Sequence, residues 1–574
     1  MKKTLAMLLV VIMVIGMFAG CAQTQTNPTT TAKPNNDTPA ATTTKEQIPE
    51  ELTLKILVCN ELQGNLDFHD RENWNVWPAF QKMCEDYNLT IEFQIIEKDQ
   101  YATQLGMVLA SEIKDMPDAV WIGGETHMST AQRVECIQEG LFYAIDDILP
   151  YSDGTFTEWY NTHTPYAART NYADGKLYWI GEYGDLSYLG TPVELGKGSP
   201  TNLNVRLDWL DALGYTEVPN TLDELEAYVL ACQAADLNQS GVPDETYLCG
   251  LTDITGCGIN KYMGVPSAQF HINLQTGEVE NPWYDENAKA MVAKIIDWLD
   301  KGIIEQDRIG KSSGTTAYRN GNKVALYHTY FCDNWSLTNC QVPEGASQAI
   351  LIGTQPDRTV HTEAYMGYDS APTMDNRSLA FTKNLSHPAA AAALLDIISS
   401  AAYGELVMWG TEGESFVTIN GNKTYINGAE DYGNAAETNI MTGNAVFTFG
   451  VFPSLAAGIV DVWTDAASCT GHDASGRMQK AVEEAYTNYD IIYPNQPNSY
   501  FAIPTPEENE VLTALESDYL QLSGEIFVSF LTGERNLDTD WESAIAELEA
   551  AGLKEILAVY QARTDRFMEG YKGN

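Results

Sequence analysis

Apolar and polar residues alternate from Leu52 to Val58 (Leu-Thr-Leu-Lys-Ile-Leu-Val), which is the signature of a half-buried strand. The period then changes: Trp77, Phe80, Met83, Cys84 and Tyr87 fall on one helical face. A second strand from Thr90 to Ile96 and a helix from about Gln100 to Glu112 follow. Asp115-Met116-Pro117-Asp118 interrupts the chain, and Ala119 to Ile122 makes a third strand that ends at Gly123-Gly124. Strand, helix, strand, helix, strand with short connections predicts an α/β fold built on a parallel sheet. Ligands in such sheets collect at the carboxyl ends of the strands. That places Asn60 and Glu61, after the first strand, and Trp121 with Glu125, around the end of the third, along one rim.

Further along, Thr221-x-x-Glu224 is a capping box that opens a helix to about Ala235. Glu286 to Lys301 predicts an amphipathic helix with Ala290, Ala293, Ile296, Trp298 and Leu299 turned inward. Lys323 to Tyr327 reads as a strand, followed by Tyr330, Asp333, Asn334 and Trp335. Pro388 stands at a helix start, where its missing N–H costs nothing. Glu507 to Leu531 and Trp541 to Phe567 are two long helical patterns at the C-terminal end.

The first fifty residues follow different rules. A basic end, Met1-Lys2-Lys3, precedes the uncharged, mostly apolar stretch Leu5 to Phe18 and then Ala19-Gly20-Cys21. That order predicts a secretory signal over residues 1–20, with an apolar run shorter than the ~20 residues of a membrane span. Ala19-Gly20-Cys21 also resembles a bacterial lipobox, in which the cysteine is lipidated and becomes the new N-terminus; Phe18 stands where such signals usually carry Leu. Residues 22–50 hold nine Thr and four Pro, with Ile48 as the one large apolar side chain. Residues 21–50 are therefore expected to be a disordered tether, reaching ~30 Å in r.m.s. terms. No second long apolar run follows, so contact with a membrane is expected through the N-terminal lipid only.

Composition narrows the function. Of 574 residues, 33 are basic and 79 acidic, a net charge of −46, which repels the phosphates of nucleic acids and excludes them as partners. Cys21 aside, nine of the ten cysteines remain, an odd number, so at least one is free or pairs with another chain. Cys249 with Cys257, or Cys332 with Cys340, are close enough in sequence to be bridged. There is no C-x-x-C pair to suggest a zinc ribbon or a redox site.

A set of short motifs then occurs in fixed order. Tyr101, Gln104-Leu105, Val108 to Ser111 and Met116 to Ala119 come first; Val205 to Leu210, Leu213-Gly214, Pro219 and Thr221 to Leu225 follow. Asn376 to Lys383, His387 to Ala390 with Leu394 to Asp396, and Trp409 to Phe416 come next, then Phe530 to Gly533, Asp540-Trp541 and Ala562 to Phe567. This order resembles the extracellular solute-binding proteins (family 1, Gram-positive lipoprotein branch), the substrate receptors of carbohydrate ABC importers, over essentially all of the mature chain. The resemblance implies a type II periplasmic-binding-protein-like fold: two α/β lobes, three hinge crossings near 170–205, 365–378 and 406–418, and an extended helical C-terminus. It implies an N-terminal lobe of 51–175 plus 376–408 and a C-terminal lobe of 176–375 plus 409–574. The segment that resembles Val324 to Trp335 carries a stacking tryptophan in the family, which points to Trp335.

Sugar rings present C–H patches to flat aromatic faces and hydroxyls to carboxylates and amides. Besides Asn60, Glu61, Trp121 and Glu125, the candidates for such contacts are Tyr330, Asp333 and Trp335 after a strand, Tyr365 near a crossing, and Trp409 with Glu412 at another. Asp236, Asn238, Ser240, Val242 (through its carbonyl) and Asp244 stand at positions one, three, five, seven and nine of a loop with Gly241 at six, the ligand spacing of a calcium loop. Tyr247 occupies the place of the usual bidentate Glu, which leaves Glu245 at position ten to close the shell; the other reading is a polar Asx-turn without metal. A Ca2+ held here would be structural, and the resembling family includes alginate-oligosaccharide receptors with a shortened loop of this kind. H-E-x-x-H, G-x-S-x-G and G-x-x-x-x-G-K-[ST] are all absent from the sequence, and Gly256-Cys257-Gly258 lacks the third glycine of a dinucleotide loop. The expectation is a non-enzymatic, monomeric, lipid-anchored receptor on the extracytoplasmic face of a bacterial membrane, which captures an oligosaccharide and docks on a permease. A surface glycan hydrolase or lyase and a peptide or cation receptor are the alternatives.

Overall fold

The alternating runs at the start of the globular body form three parallel strands, β1 (Leu52–Asn60), β2 (Leu89–Glu97) and β3 (Ala119–Gly123). The computed structural model describes residues 51–60, 67–124, 127–181, 201–312, 317–318, 321–330, 351–354, 356–364, 378–419, 422–425, 492–494 and 497–572, together with Leu455 and Arg477. Helices α1 (Trp77–Asp86) and α2 (Lys98–Leu109) make the crossovers. A strand from much later in the chain, β10 (Ser378–Phe381), adds antiparallel to β3, giving the order β10-β3-β1-β2. Both faces of this sheet are covered, so β3 is buried at every position, and α10 (Pro388–Ser399) lies against the sheet with ten of its residues buried. Leu394, Leu395, Ile397 and Ile398 are among them, each worth ~1.5–3 kcal/mol of burial.

Two buried acids fix this unit. Asp118 accepts from Lys55 N at 2.8 Å with one oxygen and from Ser386 N and Oγ at 3.0 and 2.9 Å with the other, joining β1, β3 and the turn after β10. Asp396 accepts from Ser152 Oγ, Asp153 N and Phe156 N at 2.6–2.9 Å, which pins α10 to the start of α4 (Thr155–Thr162). Burial raises the Asp396 carboxyl above its ordinary value, and these hydrogen bonds oppose that rise.

A second sheet is organised differently. β4 (Thr201–Arg206) runs antiparallel to β8 (Val324–Tyr330) and β9 (Leu351–Gly353), and β5 (Thr246–Leu248) joins parallel to β8, in the order β5-β8-β4-β9. The strand expected at 323–327 therefore runs on to Tyr330. Its core is separate from the first: Tyr228, Val229 and Cys232 of α7 (Leu222–Ala235), Trp298 of α9 (Glu286–Asp300), and residues of α12 (Pro506–Leu531), α13 (Leu537–Ala550) and α14 (Leu553–Lys572). α9 buries Ala288, Met291, Val292, Ile295, Trp298 and Leu299, whereas Ala290 and Ala293 are exposed. The stretch expected as one helix from Trp541 to Phe567 is broken at Gly552, whose φ of 102° ends one helix and whose missing Cβ lets Leu515 approach. Cys249 and Cys257 are both free and buried, so the bridge that their spacing would allow is not made. Cys332 and Cys340 lie outside the described residues.

The two cores are tied by a short strap. Phe501 is 1% exposed in the second core, and Ile503 is 2% exposed in the first. Arginines hold the strap's backbone: Arg169 Nε donates to Asn498 O (2.8 Å), Arg563 Nε to Ala502 O (2.7 Å) and an Arg566 guanidinium nitrogen to Ile503 O (3.2 Å). Ile503 N in turn donates to Arg169 O at 3.2 Å. The ends of two crossings also meet, because Ile180 and Leu379 exchange backbone hydrogen bonds of 2.9 and 2.8 Å. The stretches 182–200 and 365–377 of those crossings lie outside the described residues.

Candidate ligand rim and cation loop

Parallel pairing of Ile56 with Ala119 and Leu57 with Val120 brings the carboxyl ends of β1 and β3 to one edge of the first sheet. Asn60 stands there, half-buried, and its side chain is engaged locally: Nδ2 donates to Asp67 and Glu97 at 3.0 and 3.2 Å, and Oδ1 accepts from Phe68 N at 2.9 Å. It ties the end of β1 to Asp67, Phe68 and the end of β2. Trp121 departs from the expectation of a stacking platform. It is 5% exposed, edge-on to Tyr101 (5.5 Å) and His127 (4.8 Å), with both ring faces inside the core. The cause is that both faces of the sheet are covered, so β3 is buried at every position and the ring packs against Tyr101 and His127. Gly123 permits the packing: its φ is +56°, and a Cβ there would stand 2.7 Å from both the His127 and Trp121 rings. Arg133, fully buried, closes the same corner by donating to Gly123 O (2.9 Å) and Met128 O (3.1 Å) and lying 5.4 Å from the Trp179 ring. Sequence reasoning missed Arg133, for which an isolated arginine on a helix gives no signal.

At the third crossing, α11 (Ala401–Trp409) ends on Gly410, whose φ is 76°. Trp409 is half-buried against Phe416 at 5.9 Å, and Glu412 is exposed in the turn beyond it, so this aromatic–acid pair meets solvent. Tyr330 closes β8, opposite Thr201 of β4. Glu61, Glu125, Asp333, Trp335 and Tyr365 lie outside the described residues. Two titratable groups that the sequence did not single out stand at β8: desolvation pushes the imidazole of His328, a half-buried residue of the strand, down to about 3, and burial pushes the ammonium of Lys261 down to about 7. Gly258, of the incomplete glycine motif, serves packing; its φ is +75°, and a Cβ would meet His328 and the Tyr247 hydroxyl at 2.7 Å.

The loop after α7 has the turn its spacing implies. Asp236 (φ 48°), Gln239 (φ 57°) and Gly241 (φ 80°) adopt left-handed conformations that curl the backbone. Both oxygens of Asp236 accept from Gly241 N at 3.2 Å, and Asn238 Oδ1 accepts from Ser240 N at 3.0 Å. Asp244 Oδ1 accepts from Asn238 Nδ2 (2.7 Å) and Ser240 Oγ (2.8 Å), while the Ser240 hydroxyl also lies 2.9 Å from the Val242 carbonyl. Glu245 is wholly buried; one oxygen accepts from Asn238 N at 3.1 Å and the other, Oε2, has no partner. Three carboxylates, an amide, a hydroxyl and a carbonyl are the hard oxygen donors Ca2+ takes. A buried carboxylate oxygen without a partner is a group such a cation would satisfy. The six donors at Asp236, Asn238, Ser240, Val242, Asp244 and Glu245 therefore fit the ion, although the present arrangement is closed by hydrogen bonds among them. No cluster of three or more His, Cys, Asp or Glu with metal-binding geometry occurs among the described residues.

No family model matches the chain. The chain is 22% identical over 542 residues to the fructooligosaccharide ABC transporter substrate-binding protein FusA of Streptococcus pneumoniae, covering 91% of each chain. Among solved structures, an EF-hand mutant of S. pneumoniae FusA in complex with fructo-nystose matches with a TM-score of 0.65 at 18% identity, over 90% of this chain and 99% of that one. An HMO-binding solute-binding protein from Bifidobacterium longum infantis gives 0.65 at 17%, covering 90% and 99%. The alginate-binding protein AlgQ2, solved without calcium ion, gives 0.63 at 18%, covering 90% and 98%. The resemblance read from the order of short motifs is thus borne out: the chain is similar along most of its length to a substrate-binding protein of an ABC transporter and carries the two-lobed α/β fold of solute-binding proteins, with a helical C-terminus.

Proposed function

We propose that this protein is the extracytoplasmic receptor of an ABC importer, which captures an oligosaccharide between its lobes and delivers it to a membrane permease. The observation that carries the reading is the similarity to a fructooligosaccharide receptor along 91% of the chain, joined to the shared fold. Ligand that touches both lobes stabilises the closed form, which is the one to dock. Trp409 and Glu412 supply a ring and a carboxylate from the third crossing. By their sequence positions at and after the ends of β1 and β3 we assign Asn60, Glu61 and Glu125 to the same task, and by theirs at the end of β8, after it and at the second crossing, Tyr330, Asp333, Trp335 and Tyr365. Ca2+ in the 236–245 loop holds the end of α7 against β5, a structural role remote from any bond-making. Cys21 carries the lipid, and residues 21–50 tether a monomeric body to the membrane that holds the permease.

Calorimetry and thermal shift across fructo-, alginate- and HMO-type oligosaccharides test the reading. Tight binding of one class with a raised melting temperature is expected. Release of shorter sugars from that class, without stabilisation, would assign the protein to hydrolases or lyases instead. Labelled-palmitate incorporation that survives in Cys21→Ala would refute the lipid anchor.

A further inference from the structure

Lys323 stands where the cation loop meets the second sheet. It immediately precedes β8, and its carbonyl accepts from Thr246 N, at the start of β5, at 2.7 Å. Its ammonium lies 3.0 Å from Asp244 Oδ2 and 3.6 Å from Glu305 Oε1. Asp244 therefore faces two ways: Oδ1 takes the hydrogen bonds of Asn238 and Ser240 within the loop, and Oδ2 takes the lysine. On its far side Glu305 Oε2 lies 3.2 Å from the Tyr318 hydroxyl oxygen. The one proton of that hydroxyl goes to the closer acceptor, Asp307, which pairs with Lys311 at 3.3 Å. The side chains of Lys323, Asp244 and Glu305 are 34%, 18% and 32% exposed, so their charges interact through less water than a free surface pair does.

We propose that Lys323 is the resident cation of this loop, and that it changes partner from Asp244 to Glu305 when a divalent cation enters, so that Lys323 and Glu305 together set the loop's cation affinity. The inference rests on the reading of residues 236–245 as a cation loop. A divalent ion drawn to Asp244 cancels the charge that holds the ammonium and then repels it. Glu305 gives the ammonium a second seat, already within 3.6 Å, so no charge is left unpaired. Without the lysine, Asp244 faces the ion uncontested. Without Glu305, the lysine has only Asp244 and competes harder. Because Lys323 is also the first step into β8, the exchange tells the second sheet whether the loop is filled.

Calorimetric titration of the full mature chain with calcium chloride, with melting temperatures followed in parallel, tests this. Lys323→Met is expected to bind Ca2+ about fivefold more tightly than the wild type, and Glu305→Gln about three- to fivefold more weakly, the scale of a partly exposed ion pair. In the Lys323→Met background, Glu305→Gln is expected to add nothing, since Glu305 acts through the lysine. Lys323→Arg, which keeps the charge, is expected to return the affinity to the wild-type value. Equal weakening by Glu305→Gln in both backgrounds overturns the exchange in favour of bulk electrostatics, and a Lys323→Met protein with unchanged or weaker affinity overturns it outright. If wild type and Lys323→Met both take up no Ca2+ and show no calcium-dependent shift, the cation loop and the exchange fall together. Oligosaccharide titration of the same samples reports separately on the receptor reading.

Discussion

Replacing Trp121 and Trp409 by the same residue should damage the protein in opposite ways. Trp121 is 5% exposed and fitted edge-on between Tyr101 and His127. A buried tryptophan removes roughly 150–250 Å² from water, and at ~25 cal/mol/Å² that is ~4–6 kcal/mol. Leucine keeps about half of this, so Trp121→Leu should cost about 2–4 kcal/mol of stability once the cavity and the lost ring contacts are included. Its effect on sugar affinity should be under threefold, because neither face of the ring reaches solvent. Trp409 is half-buried against Phe416. Trp409→Leu should cost about 1 kcal/mol of stability, but it removes the flat face on which a sugar can lie, and a central aromatic anchor is worth ~2 kcal/mol or more. Affinity should therefore fall about 30-fold or more. Urea unfolding measures the first quantity, and calorimetry with the tightest-binding oligosaccharide of the panel measures the second. Trp409→Leu with unchanged affinity, or Trp121→Leu with lost affinity and full stability, would refute the assignment of one ring to the core and the other to the ligand.

Two further outcomes follow from the packing of the second lobe. Burial tends to raise the Glu226 carboxyl, but hydrogen bonds from Lys294, Lys301 and Trp298 outweigh it and bring it from 4.5 down to about 2. A depressed acid stabilises above its unfolded value and loses that contribution as pH falls from about 4.5 toward 2, so Glu226→Gln should cost about 1–2 kcal/mol at pH 7, after allowance for solvent screening, and progressively less below pH 4; a deficit that stays constant in urea unfolding from pH 7 to pH 3 contradicts the network. Gly214 and Gly258 share a left-handed φ near 75°, but a Cβ at Gly214 meets nothing within 4 Å and one at Gly258 meets His328 and Tyr247 at 2.7 Å. Gly214→Ala should cost about 1 kcal/mol and Gly258→Ala at least ~3 kcal/mol by thermal unfolding, since only the second adds a clash to the backbone strain.

Much of the first lobe was legible because strand alternation and helical spacing are strong signals: β1, β2 and β3 begin and end within about two residues of their expected positions. The capping box at Thr221 and Glu224 formed as read, with both reciprocal hydrogen bonds. Where the reading failed, the residues were ambiguous in physical terms. Alanine is too small to mark a buried face, so the pattern puts Ala290 and Ala293 inward, whereas Met291, Val292 and Ile295 fill the core. Gly552 sits in a helical pattern that continues on both sides, and only the approach of Leu515 shows why the helix must stop. Trp121 at a strand end reads as a rim residue, because sequence gives no sign of how completely both faces of β3 are covered. The loop at 236–245 was legible from spacing alone, but Lys323 and Glu305, at its edge in space, are sixty or more residues away in sequence.

The strap from Phe501 to Ile503 has a consequence for how tightly a ligand can be held. Two residues, ~7 Å of chain, connect the interior of one lobe to the interior of the other, with arginines clamping the backbone on either side. Together with the packing of α14 on the helix Thr164–Thr170, so short a link keeps the two cores side by side, so that the lobes cannot drift apart. On the proposed receptor reading, a ligand held by one half-site therefore meets the other at a high effective concentration fixed by geometry, and its second set of contacts forms within a single molecule. Two modest half-sites can in this way yield a strong receptor, and the same closeness lets them reopen without the lobes losing register.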